Sequence, residues 1–121
     1  MMDRIILEGM TFFGRHGLLP REVEEGQPFV VDLALGLNLA PAGKTDHLGQ
    51  TVDYSQVVDA VREVVEGKRF NLLEALAEAI AGEVLQRFPV ESVRVGVKKP
   101  RAPLGVILDH VAVVIERRRG S

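Results

Sequence analysis

The sequence has no cysteine and no tryptophan. Without thiols there is no disulfide, no thiolate nucleophile and no cysteine-held zinc or iron–sulfur centre. Histidine is scarce as well. His16, His47 and His110 are the full set, and no two stand at i, i+2 or i, i+4 spacing. A histidine-based metal site would have to be assembled by the fold, so no bound metal or other cofactor is expected. No apolar run approaches the ~18 residues of a membrane-spanning helix. Met1-Met2-Asp3-Arg4 lacks the charged, then apolar, then small-residue order of a secretory leader. A cytoplasmic location and no membrane partner are the default expectations. A dominant sign of charge is also missing. The 15 Lys and Arg and 17 Asp and Glu are interleaved, for a net charge of −2. Arg117-Arg118-Arg119 is the one basic cluster and reads as a solvated tail. With no basic face and no interleaved aromatics, nucleic acid is not an expected partner.

What is present fits one domain, residues 1–121, without repeats, low-complexity segments or a linker. Residues 3–13 read as a strand with Ile5, Leu7, Gly9, Thr11 and Phe13 on one parity. Residues 18–26 read as a loop. Residues 28–39 alternate cleanly, with Val31, Leu33, Leu35, Leu37 and Leu39 on one face and Asp32, Ala34, Gly36 and Asn38 on the other. Residues 40–52, with Pro41, Gly43 and Gly49, read as a second loop.

Val57, Val61, Val64 and Val65 form a helical stripe over 54–66, capped by Asp53 or Ser55 and closed by Gly67. Leu73, Leu76, Ala77, Ile80 and Val84 form another over 72–88, stopped by Pro89. Residues 91–99 and 107–117 are valine-rich strands. The order β-β-α-α-β-β predicts an α+β fold: a four-stranded antiparallel sheet with two helices on one face. Its edges carry few protecting charges or prolines, so the sheets are expected to oligomerise.

Five segments then carry a family resemblance. They are Phe13-Gly14-Arg15-His16-Gly17 with Glu22 and Gly26-Gln27-Pro28-Phe29; Asp46 with Thr51-Val52-Asp53-Tyr54; Phe70-Asn71-Leu72-Leu73-Glu74 with Leu76-Ala77; Val95-Gly96-Val97-Lys98-Lys99-Pro100; and Val114-Ile115-Glu116-Arg117. Together, in this order, they span nearly the whole chain, which resembles dihydroneopterin aldolase. The resemblance implies a tunnelling fold. Four sheets would close into a sixteen-stranded barrel, giving a tetramer or an octamer of two rings, with active sites at subunit interfaces. It implies retro-aldol cleavage of 7,8-dihydroneopterin in folate biosynthesis, to 6-hydroxymethyl-7,8-dihydropterin and glycolaldehyde, with side epimerisation to dihydromonapterin and neither metal nor Schiff base.

Residue roles follow from the resemblance, each beside a plainer reading. Glu74, helped by the Leu73 backbone, would anchor the pterin edge, where one carboxylate accepts two adjacent N–H donors. Asn71-Leu72-Leu73-Glu74 also reads as a capping box. Lys99 would be the acid/base. It continues the Val93, Val95, Val97 face, where desolvation would lower its pKa toward neutrality. The plainer reading is a lysine snorkelling at a strand end. Tyr54 would help protonate the enol intermediate, or simply pack at a helix start. The Val52 and Asp53 backbone would contact pterin from an adjacent subunit. Glu22 would touch the substrate side chain and support the lysine, though Glu22, Glu24 and Glu25 share one charged loop.

His16 reads as a turn or packing residue rather than a base. Gln27 reads as a structural hydrogen-bonder, and Asp46 and Thr51 as loop-shaping. Two other readings remain. One is an epimerase of dihydroneopterin triphosphate, for which Arg15, Arg21, Lys68, Arg69 and Arg101 are candidate phosphate contacts. The other is a non-catalytic pterin-binding oligomer.

Overall fold

The computed structural model describes residues 2–120. Met1 and Ser121 lie outside the described residues. The strands are β1 (Asp3–Gly14), β2 (Gln27–Leu37), β3 (Ser92–Lys99) and β4 (Val111–Arg118), in the spatial order β1-β2-β3-β4, every pair antiparallel. Between β2 and β3 run α3 (Tyr54–Gly67) and α4 (Leu73–Arg87). They cover one face of the sheet, α3 against β1 and α4 against β3 and β4. The β-β-α-α-β-β reading holds.

The two loops were misread in detail. Residues 18–26 contain α1 (Pro20–Glu25), and residues 40–52 contain α2 (Ala40–Thr45) and a single 3-10 turn at Leu48–Gln50. Six-residue helices are too short to show an apolar stripe, so periodicity does not reveal them. The last strand starts at Val111 rather than 107, and Ile107 is fully exposed.

β1 does not keep one parity. Leu7 pairs with Leu33 but Met10 pairs with Val31, so Glu8 and Gly9 together oppose Asp32. Gly9 takes φ +72°, a conformation that suits glycine, and its N–H donates to Asp32 Oδ1 at 2.7 Å. A one-residue bulge exchanges the faces of everything beyond it. Ile5 and Leu7, then Met10 and Phe12, therefore face the helices, while Phe13 turns outward and is 49% exposed.

The core lies between sheet and helices. Val31, Leu33, Leu35, Val93, Val95 and Val97 meet Val57, Val61, Val64, Leu76, Ile80 and Val84, all buried. Each such side chain contributes about 1.5–3 kcal/mol by leaving water. Asp53 caps α3, its Oδ1 accepting from Ser55 N–H at 3.0 Å. The basic end is no solvated tail. Arg117 pairs with Glu78. The Arg119 guanidinium donates to the carbonyls of Phe88 (2.7 Å) and Val90 (2.9 Å), and also to Leu85 O. It satisfies carbonyls that the C-terminus of α4 leaves open.

Candidate active site

The alternation of β3 carries Lys99 onto the core side, after Val93, Val95 and Val97. It arrives under α1. Pro20 opens that helix and Glu22 is its third residue, where a carboxylate can turn back on the helix start. Glu22 Oε1 accepts from Leu19 N–H at 3.2 Å. Glu22 Oε2 accepts from Lys99 Nζ at 2.7 Å and from Gln27 Nε2 at 3.2 Å. The two charged side chains are 7% and 14% exposed.

Burial pushes the Glu22 carboxyl up, but the donors from Lys99, Leu19 and Gln27, with the lysine charge, outweigh it and hold the pKa below the ordinary value. Removing either member of a buried pair strands the other, at a cost of about 3–5 kcal/mol. Gln27 Oε1 is buried and has no hydrogen-bond partner among the described residues. Flipping the amide would turn that oxygen onto the carboxylate, so electrostatics fix the orientation shown.

Gly17 sits directly beneath this pair. A Cβ there would lie 2.4 Å from the Glu22 carboxyl carbon, and the φ of 138° also excludes larger residues. Its N–H donates to Phe70 O at 3.1 Å, and its carbonyl accepts from Arg69 at 2.6 Å. Arg69 also donates to Asn71 Oδ1 at 3.0 Å. The preceding His16 is buried. Its Nδ1 accepts from Phe70 N–H at 3.0 Å, and its Nε2 lies 2.8 Å from Val65 O. Both nitrogens are engaged by backbone, which agrees with a packing role.

These contacts bring the 69–71 segment to the pair, and α4 starts immediately after it. Its N-cap is Leu72, without a side-chain cap, and Asn71 is held by Arg69. The capping-box reading of Glu74 therefore fails. Glu74 is the second helical residue, exposed, with no hydrogen bond or ion pair among the described residues. Leu73 beside it is buried and roots the turn.

Tyr54, Asp53 and Val52 are elsewhere. Val52 is buried, Asp53 caps α3, and Tyr54 is 59% exposed. The far end of α3, at Val65, is the end that touches His16. Eleven residues separate Tyr54 from Val65, a rise of about 16 Å. One chain thus assembles Glu22, Lys99 and Gln27 with Gly17, which binds Arg69 and Phe70 just before α4, and leaves Tyr54 at the opposite end of a helix.

Among the basic candidates, Arg15 is committed to the carbonyls of Val23 and Glu24 and Arg69 to Gly17. Arg21 and Arg101 line a cavity of about 220 Å³ together with Glu22, Glu25 and Gln27. A larger hollow of about 860 Å³ lies away from the pair, bounded by Asp3, Asn38, Thr51, Glu91 and Arg118. Gly17 and Arg69 were not singled out as positioning elements. Nothing in their spacing signals it, because their partners are backbone atoms some fifty residues away in sequence.

The dihydroneopterin aldolase family model (FolB) matches residues 5–116. A dihydroneopterin aldolase of Streptomyces coelicolor is 48% identical over 118 residues, covering 98% of this chain and 99% of that one. That of Methylorubrum extorquens is 43% identical over 122 residues, covering 100% and 94%. Among solved structures, Escherichia coli dihydroneopterin aldolase in complex with neopterin superposes with a TM-score of 0.88 at 31% identity, over 96% of this chain and 99% of that one. A Burkholderia dihydroneopterin aldolase bound to guanine gives 0.79 at 28% identity, over 98% and 92%.

Proposed function

The chain belongs to the dihydroneopterin aldolase family, and on that premise we propose that it cleaves 7,8-dihydroneopterin by retro-aldol chemistry with Lys99 as acid and base. The observation that carries this reading is the buried Lys99–Glu22 pair at 2.7 Å. A lysine held by a carboxylate that itself lines a cavity is placed to exchange a proton with a hydroxyl.

The chemistry balances without an added electron sink. A base takes the proton of the side-chain hydroxyl, the adjacent C–C bond breaks, and its electron pair moves into the dihydropterin ring. Glycolaldehyde leaves. The enol left on the pterin takes a proton at carbon, giving 6-hydroxymethyl-7,8-dihydropterin. Re-addition to the other face of the aldehyde would give dihydromonapterin, so epimerisation can share the same intermediate. Glu74, free and at a helix N-terminus, accepts two N–H bonds from the pterin edge, with the Leu73 backbone beside it. Glu22 accepts from Lys99 Nζ and keeps that side chain oriented until substrate arrives.

Tyr54 serves as the proton relay for the enol carbon, from a second copy of the chain, with Val52 and Asp53 backbone against the ring. The roughly 16 Å rise of α3 between Tyr54 and Val65 supports the two-copy site. So do the edge strands β1 and β4 and the half-exposed Ile6 and Val114 on the uncovered sheet face. Four sheets joined edge to edge would make the sixteen-stranded barrel, and two rings an octamer. The reaction needs only water-soluble reactants, and the described residues hold no helix long and apolar enough to cross a membrane. A cytoplasmic enzyme is the reading adopted.

The test is product chromatography after incubating metal-free protein with 7,8-dihydroneopterin. Glycolaldehyde and 6-hydroxymethyl-7,8-dihydropterin are expected, and no cleavage would overturn the aldolase. One observation favours a second reading, action on a phosphorylated side chain: Arg21 and Arg101 line the cavity beside Glu22 without another partner among the described residues. Epimerisation of dihydroneopterin triphosphate without cleavage of dihydroneopterin would select it.

A further inference from the structure

His16 is a buried polar side chain, hydrogen-bonded at both ring nitrogens, that the mechanism leaves unused. A backbone N–H can only donate, so the Phe70 N–H at 3.0 Å requires a bare Nδ1. The proton therefore sits on Nε2 and points at Val65 O, 2.8 Å away. The ring stacks on Phe70 at 5.9 Å and meets the edge of Phe29 at 5.0 Å. No lone pair remains to take a proton from substrate, so the imidazole is not a base in this arrangement.

The two bonds do different things. The Nε2 bond ties β1 to the end of α3. The Nδ1 bond fixes Phe70, four residues before Glu74, and it acts on the residue whose carbonyl receives Gly17 N–H. Gly17 in turn lies against the Glu22 carboxylate. The dipeptide His16-Gly17 is thus the physical link between the segment that would anchor the pterin and the pair that would move the proton. Glu74 makes no contact of its own that would hold its position.

We propose that His16 is a positioning residue, and that its Nδ1 bond to Phe70 sets the distance from the Glu74 anchor to the Lys99–Glu22 pair. The proposal rests on the aldolase reading above. It separates His16 from an ordinary core residue, because its two hydrogen bonds have unequal consequences. Losing the bond to Val65 loosens the fold. Losing the bond to Phe70 misplaces the pterin anchor.

Two substitutions divide them. In His16→Asn the side-chain oxygen falls near the place of Nδ1 and still accepts from Phe70, while the Val65 bond is lost. In His16→Gln the side-chain nitrogen reaches the place of Nε2 and still donates to Val65, while the Phe70 bond is lost. Neopterin affinity would be read by fluorescence titration, turnover by product chromatography, and stability by urea unfolding, alongside wild type.

His16→Gln is expected to weaken neopterin binding and raise KM about tenfold, the loss of one buried hydrogen bond, with kcat within about threefold of wild type. His16→Asn is expected to keep affinity within about threefold while losing comparable stability. Equal affinity losses in the two variants, tracking their stability, would overturn the proposal and make His16 a packing residue. If one variant does not fold, the other still decides: an intact affinity in Gln, or a tenfold loss in Asn, overturns it. A wild-type protein that neither binds neopterin nor cleaves dihydroneopterin would instead defeat the aldolase reading.

Discussion

The two ends of α3 are built on opposite plans. At the Val65 end, His16, Gly17, Glu22, Gln27 and Lys99 are buried or nearly so, and each is held by a hydrogen bond of 2.6–3.2 Å. At the Tyr54 end the side chain that would do chemistry is 59% exposed, and only the Asp53 cap is fixed. Glu74 shares the exposed, unpartnered state although its backbone is held at the first end. Groups that must keep a charge or a tautomer are pre-organised by the single chain. In the proposed reading, the groups that would meet a pterin edge or a second copy are the ones left free. A saturated donor cannot bind a ligand without first breaking a bond.

The largest expected break in this contrast is Lys99→Ala. Turnover should fall about 10²–10⁴-fold, as for loss of a general acid/base, with neopterin affinity within about threefold. Near-normal kcat would remove Lys99 from the chemistry. Glu74→Ala should do the reverse, weakening neopterin about a hundredfold through two lost charge-assisted bonds. The midpoint of thermal unfolding should stay put, because the side chain is exposed. Unchanged affinity would remove Glu74 from the pterin site.

Tyr54→Phe sharpens the comparison more directly. Alone it should slow turnover without changing stability. Unfolded Lys99→Ala and Tyr54→Phe chains refolded together should recover about a quarter of wild-type sites, because a random two-chain site then holds both intact residues. Recovery of nothing would place both groups in one chain.

The smallest effect is one of pH. Burial holds the His16 pKa below the ordinary 6.5, opposed by the Val65 bond and aided by the charges of Arg69 and Lys99. The unfolded chain therefore takes up a proton just below pH 6.5 that the folded chain refuses. Stability is full above that value and falls as pH drops toward the folded pKa, by about 1.4 kcal/mol per pH unit at most. The Glu22 pKa is depressed from 4.5, so its contribution is present above that value and lost below it, as pH falls through its folded pKa. Urea titrations should show two separate acid steps, the upper one absent in His16→Asn. A single step below pH 4.5 would contradict the neutral, buried histidine.

Much of this is legible in the sequence. The valine stripe of α3 and the alternation of β2 and β3 survive because each repeats over several turns or residue pairs. The placement of Lys99 on the core face followed from parity alone. The bulge at Gly9 did not, since a period of two cannot show where one extra residue enters until the partner strand fixes the register. Nor could three glutamates in six residues be told apart. The turn of α1 sends Glu22 inward and leaves Glu24 and Glu25 exposed. Arg119 read as a tail because its carbonyl partners are about thirty residues distant.

By itself, then, the sequence determined what depends on neighbours in the chain: the elements, their buried faces and the family they belong to. Only the tertiary structure decided which polar groups meet. His16 finds Val65 and Phe70, and Lys99 finds Glu22, across 49 to 77 residues of chain. Such pairs are set by the packing of sheet on helix, and no local pattern records them.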